Sequence, residues 1–236
     1  MFQLTTVFGY AMGMGLLAAA LLLILLQNLL RNQKVFDPLL KGICRLILAF
    51  LGIKVKVSGC KHLDRTKTCL FLANHVNILD GFILYGHIPH FVRSVELVDH
   101  FSWPVWGLIT KHLGNIPISH HNIKQARKSL ARAARFVAEG TSLILLPEGH
   151  RTRDGKLGNF MSGPFRLALQ TQVELIPVAL RGAFERKNVH SPFVRPGRME
   201  LVFGRPISPE SYTGKNDRQL RASVREILSR LVSGRR

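Results

Sequence analysis

Residues 69–83 read Cys69-Leu70-Phe71-Leu72-Ala73-Asn74-His75-Val76-Asn77-Ile78-Leu79-Asp80-Gly81-Phe82-Ile83, an apolar run leading into a His and an Asp five positions apart. On one regular helix five residues turn the chain by about 500°, which leaves the two side chains roughly 140° apart. On one strand an odd offset puts them on opposite faces. The pair meets only if the chain turns between them, with His75 leaving a strand and Asp80 near the start of a helix. A His held by a carboxylate just past a strand's carboxyl end is how a general base is built. Taken alone, the same two residues also read as a loop His and a helix cap.

A second constellation lies downstream. Leu143-Ile144-Leu145-Leu146-Pro147 reads as a buried strand that runs into Glu148-Gly149-His150-Arg151-Thr152-Arg153-Asp154-Gly155. An acid, a flexible Gly and two arginines at the end of an apolar strand suit an anionic head group, because a guanidinium grips phosphate in a bidentate fork. Ile176-Pro177-Val178 closes a further apolar strand.

In order and separation these blocks resemble the lysophospholipid acyltransferases related to 1-acyl-glycerol-3-phosphate acyltransferase. That family carries Asn-His-x-x-x-x-Asp, then Gly-x-Ile-x-Ile-x-Arg, then Pro-Glu-Gly-Thr-Arg-Ser, then Ile-Pro-Val, and the resemblance spans about Val57 to Ile207. It implies transfer of a fatty acyl chain from acyl-CoA or acyl-carrier protein to the free hydroxyl of a lysophospholipid. The first acceptor to expect is 1-acyl-glycerol-3-phosphate, giving phosphatidic acid. It also implies His75 as base and Asp80 as the carboxylate that fixes its tautomer. Glu148, Gly149 and Arg151 fall at positions associated with the acyl acceptor, and Asn74 at one that braces the loop. No resident cofactor and no metal are implied.

Three positions depart from the pattern. The run Gly114-Asn115-Ile116-Pro117-Ile118-Ser119-His120 ends in His where the family has Arg, His150 replaces the Thr after Gly149, and Met161 replaces a basic residue after Phe160. The resemblance links two of these lost groups to the acceptor's phosphate. Arg93, Arg153, Lys156 and Arg166 are therefore the candidates to replace them. Another lysolipid, such as a lyso-ornithine lipid, and a membrane-tethered protein that binds without catalysis remain alternatives.

The whole chain is compatible with these readings. Its 236 residues, 47% of them hydrophobic, can build one sizeable core. Lys and Arg number 33 against 14 Asp and Glu, a net charge of +19 that favours anionic partners. Residues 1–30 carry no charged side chain, and a helix from Val7 to Leu30 would be about 36 Å long against a bilayer core of roughly 30 Å. No basic region precedes it, as a cleaved leader would require. Arg31 and Lys34 follow, which orients the remainder to the cytoplasmic side of a membrane, the inner one in a bacterium. Membrane lipid, not nucleic acid, is the expected anionic partner. Leu39, Leu40, Ile43, Leu46, Ile47, Phe50 and Leu51 recur at helical spacing, an amphipathic helix that packs on the domain or lies in the interface. Residues 1–51 thus read as a membrane anchor, spanning or interfacial, and 52–236 as an α/β domain.

Within that domain, strands are expected at Ile53–Val57, Thr68–Ala73, His90–Val95, Asn115–Ile118, Ser142–Leu146, Val173–Leu180 and Met199–Phe203. Helices are expected from Asp80, at Trp103–Leu113 with Pro104 early, at Ile123–Ala138, Gly163–Leu169 and Asn216–Leu231. Such alternation implies a largely parallel central sheet flanked by helices, with ligands at the carboxyl ends of its strands. The scattered His87, His90, His100, His112, His120 and His121 match no metal-binding spacing. Trp103 and Trp106 read as core or membrane-interface residues. Cys44, Cys60 and Cys69 read as reduced thiols.

Overall fold

The computed structural model describes residues 2–119 and 122–234. In chain order these form α1 (Phe2–Leu29), α2 (Gln33–Phe50), β1 (Ile53–Ser58), β2 (Cys69–Ala73), α3 (Asp80–His87), β3 (Val92–Leu97), α4 (Trp106–Leu113), β4 (Ile116–Ile118), α5 (Ile123–Ala138), β5 (Ser142–Leu145), α6 (Gly163–Thr171), β6 (Glu174–Arg181), α7 (Ala183–Arg186), β7 (Gly197–Phe203) and α8 (Asp217–Ser233).

The strands make one sheet in the order β1-β7-β6-β2-β5-β3-β4. β6, β2, β5, β3 and β4 run parallel, while β7 is antiparallel to β6 and carries β1 parallel to itself. This is the largely parallel α/β sheet that the alternation of elements implies. Its central strands are apolar throughout because both faces are covered. Phe71, Ala73, Ile144, Ile176 and Val178 point into one core with α1, α2 and α3. Leu70, Leu72, Leu143, Leu145 and Leu175 point into a second core with α5, α6 and α8.

Most element ends fall within one or two residues of expectation, and two of the differences have a visible cause. The helix foreseen from Trp103 begins only at Trp106, so Pro104 lies in the turn ahead of it. Val105 is held at φ 59°, ψ −56°, outside the helical region and costly for a β-branched residue, which prevents the turn from joining α4. β3 is shifted to Val92–Leu97, and His90 instead bonds the Asp64 carbonyl through Nε2 at 2.9 Å.

α1 and α2 fold back on each other and against the sheet. α1 is the one described helix long and apolar enough to cross a membrane, with a mean hydropathy of 2.2. Both of its ends are tied down. The Thr6 hydroxyl donates to the Val194 carbonyl at 3.0 Å, Tyr10 donates to Pro192 at 2.6 Å, and the Asn28 amide donates to His112 at 2.8 Å. α2 is anchored by charge: buried Lys41 pairs with Asp37 at 2.7 Å and donates to the His90 carbonyl, while the Tyr85 hydroxyl donates to Asp37. The outward faces of the two helices carry exposed Leu4, Val7, Phe8, Leu22, Leu29, Val35 and Leu39.

Candidate active site

His75 and Glu148 meet because of strand register. Leu72 of β2 pairs with Leu145 of β5, and His75 and Glu148 each lie three residues beyond that pair. Adjacent strands are about 4.8 Å apart, so equal offsets past one end bring the two loops together. The His75 N–H donates to Glu148 Oε1 at 2.7 Å, and the Gly158 N–H donates to Oε2 at 2.6 Å. Glu148 is 2% exposed, and burial pushes its carboxyl up while the two N–H donors oppose the shift.

The turn foreseen between His75 and Asp80 is present. His75 Nδ1 lies 2.8 Å from Asp80 Oδ2, at the first residue of α3. The same oxygen accepts the N–H groups of Val76 at 2.6 Å and Asn77 at 3.0 Å. A carboxylate at a helix start also meets the positive end of the helix dipole. With Nδ1 held on Asp80, Nε2 is left to face outward on a partly exposed ring.

Asn74 completes the brace. Its Oδ1 accepts the Leu180 N–H at 2.8 Å and its Nδ2 donates to the Leu180 carbonyl at 3.2 Å. The side chain thus stands in for a ladder peptide group past the end of β2, and frees the main chain at His75 to bend toward Glu148. The sequence reading missed Asn77, which donates to the Ala183 and Lys187 carbonyls and accepts the Leu79 N–H. An Asn two residues after a strand-end His is its only signal.

Gly149 sits at φ 72°, a conformation side chains disfavour, and its N–H caps the Leu146 carbonyl at 3.0 Å. Arg151, Arg153 and Lys156 are exposed along the loop that follows. The loop is fixed by the Thr152 N–H on the His75 carbonyl at 2.9 Å and the Met161 N–H on Pro147 at 2.7 Å. From α8, Arg225 donates to Gly158 at 3.1 Å and Leu157 at 3.2 Å, and Arg221 donates to Phe160. These α8 clamps lie in a stretch whose sequence shows only a basic helix.

A cleft of about 1920 Å³ opens on this assembly. Its polar wall holds His75, Arg151, Arg153, Lys156 and Arg166, and an apolar wall runs through Leu17, Ile78, Phe82, Trp106 and Leu130. Trp106 donates from Nε1 to Glu96 at 3.2 Å and packs edge-on against Phe82, whereas Trp103 is 39% exposed. One expectation fails. Arg93 is buried, bonds Val92 and Gln33, and does not line this cleft. The candidates to hold an anionic head group reduce to the three loop and helix cations Arg153, Lys156 and Arg166, with Arg151. Met161 is 41% exposed in the cleft. His120 lies outside the described residues. Among the described residues no group of three or more His, Cys, Asp or Glu is placed to hold a metal ion.

A parallel sheet with a His–Asp pair at its carboxyl end, beside an open cleft, defines the class. The acyltransferase family model matches residues 54–181, and the chain belongs to that family. It is 29% identical over 169 residues to a 1-acyl-sn-glycerol-3-phosphate acyltransferase of Limnanthes douglasii, covering 71% of this chain and 59% of that protein. It is 27% identical over 206 residues to a protein of Mycoplasma pneumoniae named "Probable 1-acyl-sn-glycerol-3-phosphate acyltransferase", covering 79% and 76%. The chain spans less than two thirds of the length of the plant relatives it matches. The fold is that of the 1-acyl-sn-glycerophosphate acyltransferase PlsC of Thermotoga maritima, with a TM-score of 0.85 over 98% of this chain and 95% of that one at 19% identity.

Proposed function

We propose that this protein transfers a fatty acyl chain from an acyl thioester, acyl-CoA or acyl-carrier protein, to the free hydroxyl of 1-acyl-glycerol-3-phosphate. The observation that carries the proposal is the His75 Nδ1–Asp80 bond at 2.8 Å with Nε2 turned to the cleft. In this reading Nε2 takes the acceptor's hydroxyl proton as its oxygen bonds to the thioester carbonyl carbon. The resulting tetrahedral species collapses, the C–S bond breaks, and the leaving thiolate recovers the proton from His75. Asp80 holds the tautomer and stabilises the imidazolium. The substrate supplies the nucleophile, so no enzyme serine or cysteine is required.

Glu148 acts in this account as a positioning residue, because both its oxygens are spent on main-chain N–H groups. That differs from the acceptor-binding role the resemblance implies for it. The acceptor's phosphate is assigned to Arg151, Arg153, Lys156 and Arg166, and its acyl chain to the apolar wall. We further propose that α1 and α2 lie in one leaflet with the domain on the cytoplasmic side. The support is that both ends of α1 bond the polar domain, so a spanning pose would draw that domain into hydrocarbon.

The test offers membranes containing the protein a labelled lysophosphatidic acid with each donor, beside a panel of other lysolipids that includes lyso-ornithine lipid. Labelled phosphatidic acid is the expected product. Transfer to another acceptor alone would reassign the head group, and none across the panel would leave a binding protein.

A further inference from the structure

At the end of the sheet opposite His75 lies a second cavity of about 520 Å³. Its walls come from the start of β3 (Arg93), the residue before β5 (Thr141), the end of α1 (Asn28), the first residue of α2 (Gln33), the end of α4 (Lys111) and the outer face of α5 (Arg132). Of the family motifs only Gly114, the first residue of the second, touches it, and the proposed reaction does not use it.

The cavity is cationic. Arg93 is 2% exposed, and among the described residues no carboxylate lies within ion-pair distance of Arg93, Lys111 or Arg132. A buried charge is ordinarily paired, since stripping it of water is costly. Arg93 is held by the Val92 carbonyl and the Gln33 amide oxygen, each at 2.8 Å, by Tyr85, and by the Phe91 ring 4.2 Å beneath it, none of them a carboxylate. Asp37 of the nearby Asp37–Lys41 pair favours the Arg93 charge from beyond ion-pair distance, but it does not line the cavity. Lys111 and Arg132 add two exposed cations at the mouth, and Glu139 is the one acidic residue in the wall. Asn32 also gives the first turn of α2 no side-chain cap.

We infer that this cavity binds a phosphate anion, with Arg93 as its floor and Lys111 and Arg132 as its rim. Guanidinium and ammonium groups around one small polar cavity match the geometry and charge of a phosphate. Two sources carry that group: free phosphate, and the head group of a bilayer lipid. The neighbouring Leu26, Leu29 and Leu30 are exposed and apolar, a surface against which a lipid's chains can lie.

The experiment uses the full chain in neutral detergent and the double variant K111M/R132M, whose two positions are exposed. In the first arm, thermal unfolding is followed with inorganic phosphate against chloride at matched ionic strength. Phosphate is expected to stabilise the wild type, and apparent affinity to fall about tenfold or more in the variant as charge-assisted bonds are lost. In the second arm, the protein is reconstituted with phosphatidylglycerol or with an uncharged glycolipid, and retained lipid is counted by native mass spectrometry. Loss in the variant of phosphate stabilisation alone identifies the free anion. Loss of retained phosphatidylglycerol identifies the head group. A variant indistinguishable from wild type in both arms overturns the site. Acyl transfer is expected to be the same in both proteins, so this outcome is separate from that of the reaction proposal.

Discussion

The two ends of the central strands are built in opposite ways. At the carboxyl end, the three side chains that shape the site are each engaged by the main chain: Asn74 by Leu180, Asp80 through Oδ2 by Val76 and Asn77, Glu148 by His75 and Gly158. At the amino end, the end of α1 is tied to the domain through the Asn28 side chain, and Arg93 lines an open cavity with no carboxylate at ion-pair distance among the described residues. The first end is over-determined, as a group that must hold a proton-transfer geometry has to be. The second end holds position loosely and leaves charge to spare.

The largest effect should come from breaking the ordered end at its centre. Asp80→Asn leaves His75 in place without the carboxylate that selects its tautomer, and kcat is expected to fall about 10²- to 10⁴-fold with KM little changed. Steady-state kinetics on matched membranes check this. Asp37→Ala sharpens the contrast from the helical side. It strands buried Lys41, and loses about 3–5 kcal/mol of stability by thermal or denaturant unfolding.

Glu148→Gln comes next. One of two buried N–H groups then faces an amide N–H in place of an acceptor, a cost of about 1–3 kcal/mol, or a roughly tenfold to hundredfold lower kcat. The variant also has a pH signature. Burial raises the Glu148 pKa, so the native state keeps its proton to higher pH than the unfolded chain does. Its contribution to stability is full below the ordinary value of 4.5 and declines as pH rises through the raised one. Glu148→Gln should lack that decline in pH-dependent melting. Asn28→Ala is the smallest change, about 1 kcal/mol for one hydrogen bond, read as faster amide exchange at the end of α1.

Much of the ordered end was legible because its information is local. The apolar run Cys69–Ala73, the five-residue offset of His75 and Asp80, and the start of α3 together allow few geometries. The brace was not legible: nothing in Glu148-Gly149 says that both carboxylate oxygens will face main-chain N–H groups, since that depends on the register of β2 against β5. Arg93 differs from expectation for a similar reason. It falls in the right order to serve the cleft, but β3 carries it to the far end of the sheet. The start of α4 depended on one backbone torsion at Val105, which composition does not encode. The apolar character of α1 was plain, while its ties to Val194 and His112 are long-range contacts that no periodicity reveals.

The most direct test of the central claim is acyl transfer to labelled lysophosphatidic acid by membranes holding equal amounts of folded wild-type protein or His75→Ala. The account predicts phosphatidic acid formation by the wild type and a loss of about 10²- to 10⁴-fold in the variant. Transfer at wild-type rate by the variant would contradict the account, and would move the base away from the His75–Asp80 pair.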